Sequence, residues 1–221
     1  MSCATVTRAI PSFIVTIGLV ALAWLATGSS FGLFLAGLFV LTVVLPPLVL
    51  TREQTRDRIA VSVAIVSGVA SGWLFAPFNG TISFVQWMQC SLVLFAFGAL
   101  LLGMAVVLVR CRIHSLFASA ITVLLATLWL SWPIWLSPTL RDHSSPAIIH
   151  WLVQLNPAMA VNGVLLHLGP WTQEPMAYHL TDLGQNVAYA LPVHGLECII
   201  AHLLLGSVLL LFSVEKQRAL P

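Results

Sequence analysis

Long uncharged apolar runs alternate with short polar clusters along the chain, and within each run the apolarity is continuous. The runs fall at about 12–28, 31–50, 59–78, 84–109 and 115–137, with a sixth at 193–214 that carries one charge, Glu197. Each approaches the roughly 20 residues that cross a hydrocarbon core as a helix. Hydrocarbon offers no water to backbone N–H and C=O groups, so a continuous apolar run must satisfy them internally as a helix, whereas a barrel would need strict alternation. The pattern predicts an all-α integral membrane fold, six transmembrane helices in a single domain over residues 1–221.

The segment between the fifth and sixth runs, 138–192, is not uniformly polar. Residues 147–155 (AIIHWLVQL) and 158–169 (AMAVNGVLLHLG) are apolar and separated by Asn156-Pro157. Proline lacks a backbone donor and bars the helical conformation for the residue before it, so two short helices with a break are predicted, each too short to cross. The expected form is a re-entrant or interfacial helical hairpin on the outer face, with 170–192 an ordered extracytoplasmic loop. The first run, preceded by Arg8 and ending near Thr27-Gly28-Ser29-Ser30, has the outline of a signal peptide. Its apolar part exceeds the usual 7–15 residues and a second run follows almost at once, so an uncleaved first helix is expected.

Composition sharpens this picture. The 221 residues are 59% hydrophobic and 7% charged, with a mean hydropathy of +1.01, against about 25% charge in soluble domains. An ordinary soluble enzyme and a disordered chain are both excluded. The net charge of +2, without a basic run, argues against a nucleic-acid partner. The charges report orientation instead: Arg8, Arg52, Arg56, Arg58, Arg110, Arg112, Lys216 and Arg218 fall on one side of a six-crossing layout and Arg141 on the other. The positive-inside rule then puts both termini in the cytoplasm. Trp24, Trp73, Trp87, Trp129, Trp132 and Trp135 fall near the outer ends, where amphipathic rings favour the interface.

Three constellations carry candidate chemistry. Ala60, Ala64, Gly68 and Gly72 repeat every four residues, a small-residue stripe that lets another helix approach closely, whether within the chain, across a subunit interface or along a substrate path. His194, Cys198 and His202 form a second stripe, with Glu197 beside His194 one turn into the sixth helix on its water-facing side. It reads as a polar lining of an outer vestibule, as a structural cluster, or as part of a metal site, and two histidines eight apart supply too few ligands for the last. On the cytoplasmic side the alternating segment 51–58, with Arg52, Glu53, Arg56 and Asp57, reads as a solvated loop that joins Arg110 and Arg112 as the surface open to a cytoplasmic partner. The four cysteines lie far apart with no CxxC pair. The only lysine is Lys216, so no phosphate-binding GxxxxGK exists, and neither HExxH nor an intramembrane acidic pair is present. Energy for any transport must come from another chain.

Trp132-Pro133 to Trp135-Leu136-Ser137-Pro138, followed by Trp151-Leu152-Val153-Gln154-Leu155-Asn156-Pro157, resembles the membrane (permease) subunits of ATP-binding-cassette exporters of the six-helix, type-two kind. Those subunits end helix five near a proline and carry a Leu-Asn-Pro turn in a re-entrant hairpin. Arg52-Glu53 to Thr55 resembles the start of their coupling loop. The resemblance implies a homodimer in a bacterial inner membrane, coupled through Arg52, Glu53, Arg56, Asp57, Arg110 and Arg112 to a separate ATPase that holds ATP and Mg, with no cofactor in this chain. Asn156 and Pro157 would form an outer lid, and His194, Glu197 and His202 would line or brace the path. The alternative is a non-transporting accessory or assembly subunit of a larger membrane complex. A fainter resemblance, Ser71-Gly72 with Ala201-His202 and Gly206, is to the Ser/His dyad of rhomboid intramembrane proteases.

Overall fold

The computed structural model describes residues 3–27, 30–51, 55–78, 80–136, 139–140, 145–165 and 190–218. Among them there is no strand, and the elements are α1 (Cys3–Thr27), α2 (Ser30–Leu50), α3 (Thr55–Gly72), α4 (Phe75–Phe78), α5 (Phe84–Arg110), α6 (Ser115–Trp135), α7 (Pro146–Leu155), α8 (Pro157–Leu165) and α9 (Leu196–Arg218). Four segments are long and apolar enough to cross a membrane: Gly32–Leu50, Asp57–Phe78, Phe84–Arg110 and Ser115–Trp135. The bent pair α7 and α8 makes a fifth if counted as one span, while the apolar stretches Ile10–Leu22 and Leu196–Phe212 are shorter. Among the described residues the expected six spans therefore become four or five by length and composition.

The exposed surface says which solvent these helices meet. α1 buries Ser12, Thr16 and Val20 and exposes Ile10, Ile14, Val15, Leu19, Leu22 and Leu25. α6 buries Ala118, Ser119, Thr122 and Ala126 and exposes Leu116, Phe117, Leu124, Leu125 and Leu128. In water the hydrophobic effect would reverse that arrangement; small and polar residues between helices with large apolar residues outside fit a multi-pass integral membrane protein.

α2 lies at the centre. Its stripe of Phe34, Leu38, Leu41, Leu45 and Val49 has no exposed surface, and the helix touches α1, α3, α5, α6 and α8. The two most extensive pairings flank it, α1 with α3 and α5 with α9. In each the chains run parallel: Phe13 and Val20 face Gly68 and Gly72, and Val93 and Leu100 face Gly195 and Gly206. At one end of the bundle Leu50, Ala105 and Ala118 cluster with Leu108, Val109 and Ile113, and Arg58 lies close enough to Arg110 for their charges to repel. At the other end the Trp87 indole N–H donates to the Ala70 carbonyl at 3.0 Å.

Two of the tryptophans expected near the outer ends are packed inside the bundle. Trp73 follows the end of α3 in a turn and is fully buried, its ring against Gly37 and 4.4 Å from that of Phe34 between centroids. Trp132 is buried too, among Leu140, Ile149, Val153 and Met159. Trp135 is exposed, its N–H donating back to the Leu128 carbonyl. A large ring is a favourable core filler, and core packing decides the first two positions.

Candidate functional site

The site is built around the break between α7 and α8. α7 is capped by Ser145, whose hydroxyl accepts from the Ile148 N–H, and carries Pro146 in the first turn, where no helical N–H is lost. It ends at Asn156 in extended conformation, as a residue before proline requires, and α8 departs at 82°. Asn156 is fully buried and uses both ends of its amide. Oδ1 accepts from the Met159 N–H at 3.0 Å, capping α8, and Nδ2 donates to the Trp129 carbonyl of α6 at 2.6 Å. The Trp129 carbonyl lacks its helical partner because the residue four further on is Pro133. The prolines at 133 and 157 thus belong to one device: each disrupts a helix, and Asn156 joins the two disruptions.

All of α8 is buried, against α5 and α2. The Gln86 side-chain amide, in the first turn of α5, donates to the Val164 carbonyl at 3.1 Å. The hairpin therefore enters beside α6 and returns toward the start of α5. Gly163 meets the Pro192 carbonyl so closely that there is no room for a Cβ.

α9 closes the other side. Its Cys198 thiol donates to the Leu155 carbonyl at 3.4 Å, one of the groups freed at the break. The buried His202 ring donates from Nδ1 to the Cys198 carbonyl at 2.7 Å. A carbonyl only accepts, so Nδ1 carries a proton and Nε2 is the ring's acceptor when neutral. The edge of the ring meets Phe97, 5.8 Å between centroids.

The predicted stripe of His194, Cys198 and His202 breaks at its first member. Gly195, at φ +62, sits between His194 and the helix, so His194 is exposed ahead of α9. Glu197 is the second residue of α9 and is exposed. The Val93 side chain lies against Gly195, so α9 begins opposite the third turn of α5, roughly 14 Å below Phe84 at 1.5 Å per residue. Glu197, two residues further on, therefore lies level with the inner turns of α5 rather than with its start.

Between α5, α6 and α9 lies a cavity of about 350 Å³. Phe97, Leu101, Met104, Trp129, Ala201 and His202 are among its lining, Leu155 of the hairpin roofs it, and Leu125 and Leu205, 46% and 52% exposed, stand at its rim.

Of the residues expected to meet an ATPase partner, Arg52 and Glu53 lie outside the described residues, as does the side chain of Arg56. The expected solvated loop is shorter than predicted: α3 already starts at Thr55, and Asp57 in its first turn is 5% exposed. Burial withdraws Asp57 from a partner-facing surface. Arg110 is partly buried and Arg112 exposed. Arg112 has φ 64; its N–H bonds the Val109 carbonyl and that of Ile113 the Leu108 carbonyl, the Schellman ending that favours glycine at this position. In the small-residue stripe, Ala60 and Ala64 are partly buried, while a Cβ on Gly68 or Gly72 would meet Thr16 at 3.0 Å or Val20 at 2.6 Å of α1.

Several residues matter that the sequence alone did not single out for this. Gly103 and Gly206 bring the α5 and α9 backbones together, with the Gly206 carbonyl 2.9 Å from where a Gly103 Cβ would stand. Asn162 is fully buried, and among the described residues neither its Nδ2 nor its Oδ1 has a partner. Pro133 gave a usable signal, since a mid-helix proline always frees the carbonyl four residues earlier and that group must find a donor. Among the described residues no three His, Cys, Asp or Glu side chains gather where an ion could be held. No described hydrogen bond joins Ser71 to His202, whose Nδ1 is taken by Cys198. Comparison of the chain with protein-family models, with curated proteins and with solved structures finds no match.

Proposed function

We propose that this chain is the permease subunit of an ATP-driven exporter: α1, α2, the α3–α4 segment, α5, α6 and α9 cross the membrane with both termini in the cytoplasm, two copies enclose a path, and a separate ATPase chain drives it. The observation that carries the reading is Glu197, an exposed carboxylate beside the middle of a spanning helix. An ionisable group at such depth is costly in hydrocarbon and is expected to face protein or a water-filled cavity. A hydrated path between two copies supplies that environment. The hairpin supports the same reading, since non-helical backbone at membrane depth is tolerated where protein covers it, and Asn156 is fully covered and Pro157 buried. As a lid, the hairpin would move on the Asn156 link to α6. The proximity of Arg58 and Arg110 supports gathering the coupling arginines at one end, with Arg112 and the segment from Arg52 to Arg56 completing a basic surface for the ATPase.

The test has two parts. The tagged protein isolated in mild detergent should bring down a stoichiometric ATPase, and charge reversal at Arg110 and Arg112 should release it; recovery of only other membrane subunits overturns the coupling. With the native cysteines replaced, Glu197→Cys should react with a membrane-impermeant thiol reagent. The apolar lining of the 350 Å³ cavity favours the second reading, an accessory subunit that holds lipid or a partner without moving it. In that case the ATPase is absent and cysteine labelling at 197 is blocked.

A further inference from the structure

The cavity and Glu197 lie on one line of α9. Ala201 and Leu205 line the cavity, and Glu197 precedes Ala201 by four residues, placing it one turn above on the same face. The cavity is lined almost wholly by apolar side chains. It suits a flexible hydrocarbon tail of about ten methylenes, at around 30 Å³ each, the scale of one liquid water. Water is a poor occupant, because an apolar cavity of this kind stays dry, and among the described residues the lining's polar groups are the His202 ring, whose Nδ1 is already bonded to Cys198, and the Trp129 indole N–H. The mouth between Leu125 and Leu205 opens on the apolar outer surfaces of α6 and α9, where Leu124, Leu128, Leu204 and Val208 are exposed. A tail can enter sideways from the bilayer.

We infer that the groove formed by this cavity and Glu197 binds a cationic amphiphile, its hydrocarbon tail between α5, α6 and α9 and its ammonium group against the Glu197 carboxylate. The chemistry is complementary at both ends: hydrocarbon gains contacts in a dry, preformed cavity, and a carboxylate at membrane depth, which has no ion-pair partner among the described residues, gains a counter-charge. The inference deepens the export reading by naming a substrate class, but binding by the chain alone does not depend on an ATPase.

The experiment uses the full chain in phosphatidylcholine nanodiscs and dodecyltrimethylammonium bearing a photoreactive diazirine in mid-tail, with its alkyl sulfate twin as the control. Labelling should concentrate on residues 97–104, 125–129 and 201–205, and the sulfate twin should label them at least tenfold less. Glu197→Gln should erase that charge preference while keeping tail labelling. Leu205→Trp, a change at an exposed rim position that folding tolerates, should block labelling at all three segments. Equal labelling by both probes overturns the role of Glu197. Labelling that is insensitive to Leu205→Trp, or spread evenly over lipid-facing positions such as Leu92 and Phe95, overturns the cavity. A spontaneous disulfide between copies at Leu205→Cys shows a second copy covering the mouth and also overturns it. Absence of a co-purifying ATPase leaves these readouts unchanged, so the two readings fail separately.

Discussion

Two helix pairs in this molecule use the same device to different ends. α1 and α3 meet through Gly68 and Gly72, and α5 and α9 through Gly103 and Gly206. The first seam is held by shape: its contacts are Val20, Thr16 and the Phe13 carbonyl, and the Thr16 hydroxyl is turned back on its own helix, to the Ser12 carbonyl at 2.6 Å. Beside the second, polar links tie the hairpin to its neighbours, Cys198 of α9 to the Leu155 carbonyl and Asn156 to the Trp129 carbonyl of α6, while His202, like Thr16, bonds back on its own helix; this seam also borders the 350 Å³ cavity. A membrane lacks the hydrophobic drive that brings helices together in water, so close packing or hydrogen bonds must do it. Where packing is complete the seam is sealed. Where a broken hairpin is wedged in, freed backbone carbonyls need donors, and the polar links follow from that need.

The comparison can be broken most severely at Gly206. A Cβ there meets Ala99 and Leu100 backbone at 2.8 Å, atoms that cannot move aside, so Gly206→Val should cost about 3 kcal/mol or more and part α5 from α9, read as loss of the folded species in detergent unfolding. Next comes the polar latch. Asn156→Leu strands the Trp129 carbonyl and removes the α8 cap, a loss of about 2–3 kcal/mol. Pro133→Ala returns an N–H to that carbonyl, so in its background the same substitution should cost at least about 1 kcal/mol less; equal costs in both backgrounds would show that the two prolines are not coupled.

In the shape-only seam, Gly68→Ala brings a methyl to 3.0 Å of Thr16 and should lower stability by about 1–2 kcal/mol, with no compensation from any polar substitution nearby. The smallest effect is expected at Arg112. Its left-handed backbone costs a side-chain-bearing residue about 1 kcal/mol, so Arg112→Gly should raise the melting temperature by a few degrees. If the guanidinium couples to a partner, that more stable variant should still lose it.

Much of the fold can be read from the chain because the bilayer imposes a single rule on long apolar runs. The runs at 31–50, 84–109 and 115–137 become α2, α5 and α6 nearly residue for residue, and the break at Asn156-Pro157 falls where proline requires. The run at 59–78 was less legible, since it ends as α3, a turn around Trp73 and the short α4; that turn is held by burial of the indole against Gly37, a contact between residues far apart in sequence. The candidate site was legible in parts. His202 and Asn156 could be singled out, yet their placement could not, because whether a polar group is buried and bonded depends on which carbonyl another helix leaves open.

The sequence by itself determined that this chain is built of helices, where most of them start and stop, and that it carries no phosphate loop, because these follow from local composition and backbone chemistry. The tertiary structure decided what meets what: that Pro133 and Asn156 answer each other, that Glu197 lies level with the inner turns of α5 while His202 is enclosed, and that a cavity remains beside a closed glycine seam. Those outcomes depend on interhelical distances of a few ångströms, which are fixed by packing among residues remote in the chain and leave no periodic trace along it.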